Sequence, residues 1–285
     1  MTATEALRRA LGGSGGERVL TLDAAFAGLP DTAHGGSVLA AFDAVAGRSG
    51  PRELRGHYLK RVPPATPLRL RVEPSPDGSR LELFDDLTVL VSGSVSDDRS
   101  AREVAPRRPA RSAETPPADD AMALPISAGC FACGLDNPLG LAVRLRADAT
   151  AVGGTWTPRP GFSLVDGTLA PLALTTLLDE AAFWLGALAT GEAGMTTELR
   201  VRLHDSAPAD DPITVTGLRS SARARPADPR YWDTDVSARD AAGRLVASAA
   251  ITFVAVRGAA RRLVNGMLAV NSADLLRRVF PGYVR

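Results

Sequence analysis

The chain has 285 residues, 45% of them hydrophobic and 23% charged, with 33 basic side chains against 32 acidic ones. That size suits one large domain or two modest ones with real cores, and the balanced charge gives no electrostatic reason to expect nucleic acid or an anionic membrane as a partner. Lys60 is the only lysine, and two cysteines, Cys130 and Cys133, are too few to staple a secreted domain, so a reducing cytoplasm is expected.

In chain order, MTATEALRRALGGSGGER lacks the apolar core of a signal peptide and reads as a loose leader ending in a Gly/Ser hinge. Residues 17–96 follow as a first unit. Val38, Leu39, Phe42, Val45 and Ala46 keep a helical period there, Leu68, Leu70 and Val72 alternate with Arg69 and Arg71 as in a strand, and Leu81 to Val95 is a further strand candidate. Residues 97–127 are rich in Pro, Ala and charge with no hydrophobic period, which is the composition of a linker.

Residues 128–257 form a second unit whose apolar run from Thr168 to Ala189 is nearly long enough to span a membrane. Asp179 and Glu180 sit at its centre. Two carboxylates at mid-bilayer are expensive, so the run reads as a helix buried in a soluble protein. Strands are expected around Leu199, Val201 and Leu203, at Tyr231 to Val236 and at Arg244 to Val256. The tail, residues 258–285, holds a short helix with Ser272 as N-cap before ADLLRRVF and Pro281-Gly282 ending it.

The two units look like copies. Glu53-Leu54-Arg55 recurs as Glu198-Leu199-Arg200, and Pro63 and Pro67 recur as Pro208 and Pro212, all at one offset of 145 residues. Each unit then reads as a strand, one long buried helix and several antiparallel strands, an α+β layer arrangement.

The chemistry starts at the first helix, which opens His34-Gly35-Gly36-Ser37 and carries Asp43 nine residues after the histidine. Two glycines at a helix start bare backbone N–H groups at the positive end of the helix dipole, where a carbonyl oxygen becoming an oxyanion would be stabilised. A carboxylate two turns along can act as base or nucleophile.

HGGSVLAAFDAVAG resembles the His-Gly-Gly, helix and acid signature of hotdog-fold thioesterases of the PaaI-like type, and CFACGLDNPLGLAVRL resembles the Cys-x-x-Cys-Gly, Asn-Pro, Gly-Leu opening of a subgroup of the same superfamily. The two motifs fall in different units. The resemblance therefore implies a double hotdog, two antiparallel sheets each wrapping a long central helix. It also implies a function: hydrolysis of acyl-CoA or a related acyl thioester at a composite site between the units. In such proteins the helix-start glycine of one unit polarises the thioester carbonyl and the helix acid of the other activates water or attacks directly.

Carried over residue by residue, Gly35 matches the polarising glycine, His34 the histidine before it and Asp43 the acid; in the second unit Asp179 matches the acid, with Glu180 as fallback. Nine residues before Asp179 stands Ala170-Pro171-Leu172 in place of His-Gly-Gly. Proline has no N–H, so Pro171 cannot donate where Gly35 can. The expected working site pairs Gly35 with Asp179, whose burial among Leu177, Leu178, Phe183 and Trp184 should raise its pKa toward neutrality.

His34 is expected to hold its turn by hydrogen bonding, and the hydroxyls of Ser37, Thr175 and Thr176 to bond their own backbone. Cys130 and Cys133 are expected to hold no metal, because the chain offers no other cysteine and only His34, His57 and His204, and to do no redox chemistry without a thioredoxin-like context; the resemblance implies a structural turn. Arg61, Arg219 and Arg223 are candidates to meet coenzyme A phosphates, coenzyme A entering only as part of the substrate and no separate cofactor being implied. Expected partners are a small-molecule acyl thioester and a second copy in a homodimer. Two rivals stand beside hydrolysis: a non-catalytic acyl-thioester binding or assembly module, and an acyl-thioester dehydratase or hydratase, for which no Asp-x-x-x-x-His pattern is present.

Overall fold

The computed structural model describes residues 1–98 and 115–284. The first half runs α1 (Ala3–Arg9), β1 (Leu11–Ser14), β2 (Glu17–Leu20), β3 (Ala27–Leu29), β4 (Thr32–Ala33), α2 (Gly35–Ala46), β5 (Arg52–Tyr58), β6 (Leu68–Ser75), β7 (Gly78–Asp85) and β8 (Thr88–Asp97). The second half runs β9 (Met122–Ala123), β10 (Arg146–Ala147), β11 (Ala151–Trp156), α3 (Pro171–Thr190), β12 (Gly194–Leu203), β13 (Ile213–Leu218), β14 (Arg223–Arg225), β15 (Asp228–Arg239) and β16 (Leu245–Ala255). It closes with α4 (Ala260–Met267) and α5 (Ala273–Val279). Within the expected linker, residues 99–114 lie outside the described residues, and Met122–Ala123 already pair with β10.

Among the described residues the strands form one 14-stranded antiparallel sheet, in the order β1-β2-β6-β7-β8-β5-β12-β16-β15-β13-β11-β10-β9 with β14 on β15, beside the small β3–β4 pair. This corrects the expectation of two separate sheets. Each half supplies its own run of strands, but β5 and β12 would be open edges if the halves stood apart, and they satisfy their backbone groups by pairing with each other. In that pair Leu54 faces Val201, Arg55 faces Arg200 and Glu53 faces Arg202.

Paired residue numbers in this register sum to 255, while equivalent residues of the two halves differ by 145. Arg55 and Arg200 are therefore both partners and equivalents, so an approximate two-fold axis passes between them. Opposite charges flank it: Glu53 accepts from Arg200 at 2.7 Å and Arg202 at 2.9 Å, and Arg55 reaches Glu198 at 2.6 Å. Being part-exposed, each pair contributes at most about 1 kcal/mol and serves register more than stability.

The two long helices lie against the sheet and against each other. α2 packs on β5, β7, β8 and β12, and α3 on β11, β12, β13, β15 and β16. α3 is long and apolar enough to cross a membrane, but 83% of its apolar window is buried inside the fold. Leu177, Leu178, Ala181 and Ala182 are wholly buried there, each leucine contributing about 1.5–3 kcal/mol by leaving water. The helices cross closely at Gly36, where a Cβ would stand 2.5 Å from the Thr175 carbonyl oxygen. Only glycine permits that approach.

The leader is a second correction. Thr2 and Glu5 form a reciprocal capping box that starts α1, whose Ala3, Ala6 and Leu7 are buried. The supposed hinge is a hairpin, with Gly15 at φ +74° in its turn and Leu20 of β2 buried against the core. The tail holds two helices rather than one. The expected helix is present with Ser272 as N-cap, and α4 precedes it.

Candidate functional site

The backbone brings the two helix starts to equivalent places. The His34 N–H donates to the Phe26 carbonyl and the Ala170 N–H to the Phe162 carbonyl, both at 2.8 Å, so His34 and Ala170 are the matched N-caps of α2 and α3. Gly35 then corresponds to Pro171 and Asp43 to Asp179. At the N-terminus of α2, Ser37 and Val38 donate to the His34 carbonyl, while Gly36 N–H crosses to the other half and donates to Asp179 Oδ2 at 3.0 Å. Gly35, at the first helical position, has no acceptor within the helix.

Asp179 is held from three sides. Its Oδ2 takes the Gly36 N–H and lies 3.2 Å from His34 Nδ1, and its Oδ1 accepts from Thr196 Oγ1 at 2.6 Å. A Cβ on Gly35 would stand 2.8 Å from Oδ2, which shows how tightly the acid abuts the glycine backbone. Glu180 turns the other way: Oε1 accepts from Trp184 Nε1 at 2.9 Å and Oε2 lies 3.6 Å from His34 Nε2.

His34 thus bridges the two carboxylates. Burial alone would lower its pKa, but the hydrogen bond to Glu180 and the charges of Asp179, Cys130 and Glu180 outweigh it and push it up to about 9. In the imidazolium form Nδ1–H donates to Asp179 Oδ2. The Gly36 nitrogen also lies 3.2 Å from Nδ1, but its hydrogen then belongs wholly to that same oxygen, because a protonated nitrogen cannot accept it. Tyr58 supports the start of α2 by donating to the Gly35 carbonyl at 2.6 Å, its own pKa raised by burial and by the nearby Asp179 charge.

These groups line a cavity of about 460 Å³ built from both halves and the tail. Phe183, Trp184, Met195, Val254, Leu263 and Met267 give it an apolar lining; Lys60 and Arg61, exposed on the segment after β5, stand at its rim. The tail helix α4, unanticipated from the sequence, supplies Leu263 and Met267. Cys130 and Cys133 also line the cavity, and their sulfurs and one Glu180 oxygen all lie within 4.8 Å of one another, a set of donors that can hold a metal ion. Cys130 has its pKa lowered by a hydrogen bond from Cys133, against the opposing effect of burial, and Cys133 has its own raised by the same bond and by burial.

The remaining candidates separate. Asp43 does not line the cavity; Arg52 grips it with two donors, Nε at 2.6 Å and Nη2 at 2.8 Å, and both side chains are buried. Arg219 donates to the Asp148 carbonyl and Arg223 stands 3.7 Å from Asp235, so of the three arginines only Arg61 lines the cavity. Thr175 Oγ1 bonds the Gly36 carbonyl at 2.8 Å and carbonyls of its own helix, whereas the buried hydroxyls of Ser37 and Thr176 have no protein partner. Tyr58 and Thr196 are site residues that sequence reasoning missed. Neither belongs to a motif, and each reaches the site from a strand.

No protein-family model matches the chain, and no curated protein does. Solved structures do. A hot dog fold protein of Alicyclobacillus acidocaldarius matches with a TM-score of 0.61 at 16% identity, covering 89% of this chain and 97% of its own. A TesB protein of Mycobacterium avium subspecies paratuberculosis matches at 0.60 and 13% identity, covering 89% and 98%. An acyl-CoA thioesterase II of Mycobacterium marinum matches at 0.58 and 15%, covering 90% and 99%. Both halves together therefore have the double hotdog fold, as the sequence motifs implied.

Proposed function

We propose that this protein hydrolyses acyl thioesters, acyl-CoA foremost, in the cavity between its two halves. The observation that carries the reading is the placement of the Asp179 carboxylate, from one half, against the glycine-rich start of α2, from the other, in one largely apolar cavity. Fold likeness to thioesterases agrees with it but is shared by other chemistries.

In this reading the acyl chain lies along Phe183, Trp184, Leu263 and Met267, and the phosphates of coenzyme A meet Lys60 and Arg61 at the rim. Gly36 N–H is engaged by Asp179, which leaves the Gly35 N–H for the thioester carbonyl oxygen, with the helix dipole behind it. Asp179 takes a proton from water as the water oxygen attacks the carbonyl carbon. The tetrahedral oxyanion rests on Gly35; the C–S bond then breaks, and the leaving sulfur takes the proton from Asp179. His34 and Thr196 fix the carboxylate, and Tyr58 fixes the helix start that carries the donor.

The test is a panel of acyl-CoAs assayed for free thiol release with the wild-type chain and Asp179→Asn. Release by the wild type, lost in the variant, supports the reading. Tight acyl-CoA binding with no release from any acyl chain would replace it with a binding module, and full release by Asp179→Asn would remove Asp179 from the chemistry.

A further inference from the structure

The same cavity holds a second cluster that thioester hydrolysis does not use. Cys130 and Cys133 are buried and unpaired by any disulfide, and their sulfurs face Glu180, all three ligand atoms lying within 4.8 Å of one another. Counting only sulfur and imidazole ligands along the sequence leaves this site two donors short; the fold adds a carboxylate from α3, fifty residues away in sequence order. We propose that Cys130, Cys133 and Glu180 bind a thiophilic divalent cation, zinc by its chemistry, with the fourth position open to the cavity.

Three physical arguments carry this. The first is fit: with Zn–S of about 2.3 Å and Zn–O of about 2.0–2.2 Å, tetrahedral ligands stand about 3.5–3.8 Å apart, so donors already within 4.8 Å need only a small contraction. A set of two sulfurs and one oxygen selects zinc over magnesium or calcium, which take oxygen alone. The second is charge. Bound by two thiolate sulfurs, the two positive charges of zinc are offset within the cluster, which eases the cost of holding the ion in a buried pocket.

The third is that every donor is braced from behind, as metal ligands are. Trp184 Nε1 holds Glu180 Oε1 at 2.9 Å, and Arg144 holds the Cys133 carbonyl at 2.7 Å. The turn itself is closed by Gly134 N–H on the Cys130 carbonyl at 2.9 Å, and a Cβ on Gly134 would stand 2.4 Å from the Ala128 carbonyl oxygen, so the turn requires glycine there. All three ligands line the cavity, which gives an ion its route in. Glu180 is thereby a ligand, and Asp179 is the carboxylate of the adjacent pair that stays at the start of α2.

The experiment is titration of the reduced, metal-stripped full chain with Co2+, followed by absorption. The wild type should take up one equivalent with a thiolate-to-cobalt charge-transfer band in the near ultraviolet and intense visible bands of tetrahedral cobalt, and zinc should displace both. Cys130→Ser and Cys133→Ser should each lose the charge-transfer intensity, and Glu180→Gln should weaken binding by at least about tenfold, since even outer-shell partners are worth that much. Zinc should also shield both thiols of the wild type from a thiol reagent, a reading that needs no variant to fold. A wild type that leaves cobalt in its aquo form, bands that persist in Cys133→Ser, or affinity unchanged in Glu180→Gln would each overturn the site. None of these readouts involves turnover, so failure here and failure of the hydrolase reading are separate results.

Discussion

The two helix starts occupy equivalent places in the two halves but differ in their caps, in their first helical residues and in the partners of their acids. At α2 the cap is His34, the first helical residue is Gly35, and the acid that faces them, Asp179, accepts from Thr196 and Gly36 inside a cavity. At α3 the cap is Ala170 with no side chain to offer, the first helical residue is Pro171 with no N–H, and the matching acid, Asp43, is neutralised by Arg52. In the proposed reading one half carries the chemistry and the other serves structure: at α3 a proline withholds the donor and a guanidinium holds the carboxylate.

The strongest break of this comparison is in the acids. Asp179→Asn should lower kcat for thiol release by at least about a hundredfold, the lower range for losing a general base. Asp43→Asn should leave kcat within a few-fold while costing about 3–5 kcal/mol in urea denaturation, because it strands a buried guanidinium. Equal losses of activity in both variants would erase the asymmetry.

Gly36→Ala tests the crossing of α2 and α3. Its Cβ would meet the Thr175 carbonyl oxygen at 2.5 Å, so a loss of about 1–3 kcal/mol in thermal or chemical unfolding is expected. Tyr58→Phe removes only the bond to the Gly35 carbonyl and should lower kcat/KM by up to about tenfold, near 1 kcal/mol. The smallest effect is expected from Pro171→Gly in the Asp179→Asn background: restoring the donor should restore no measurable thiol release, since Arg52 still holds Asp43. Recovered activity would show that the proline alone silenced the second site.

Much of this was legible in the chain. The offset of 145 between Glu53-Leu54-Arg55 and Glu198-Leu199-Arg200 revealed the repeat, and counting back from Asp179 to Ala170 found the true N-cap of α3. Thr2 and Glu5 carried a capping-box signal for α1 that a Gly-rich context masked. Tyr58 and Thr196 gave no such signal. Tyr58 meets Gly35 and Thr196 meets Asp179 through the packing of β5 on α2 and of β12 on α3, and no local pattern encodes which strand residue a helix will meet.

The sequence by itself determined the repeat, the helix starts and their chemical inequality, because periodicity, caps and the missing N–H of proline are local properties of the chain. Only the tertiary structure decided that the sheet is continuous, that Asp43 is bound to Arg52, and that Glu180 meets two cysteines. Edge pairing and burial bring together residues far apart in sequence, and the worth of a carboxylate depends on what faces it once water is gone.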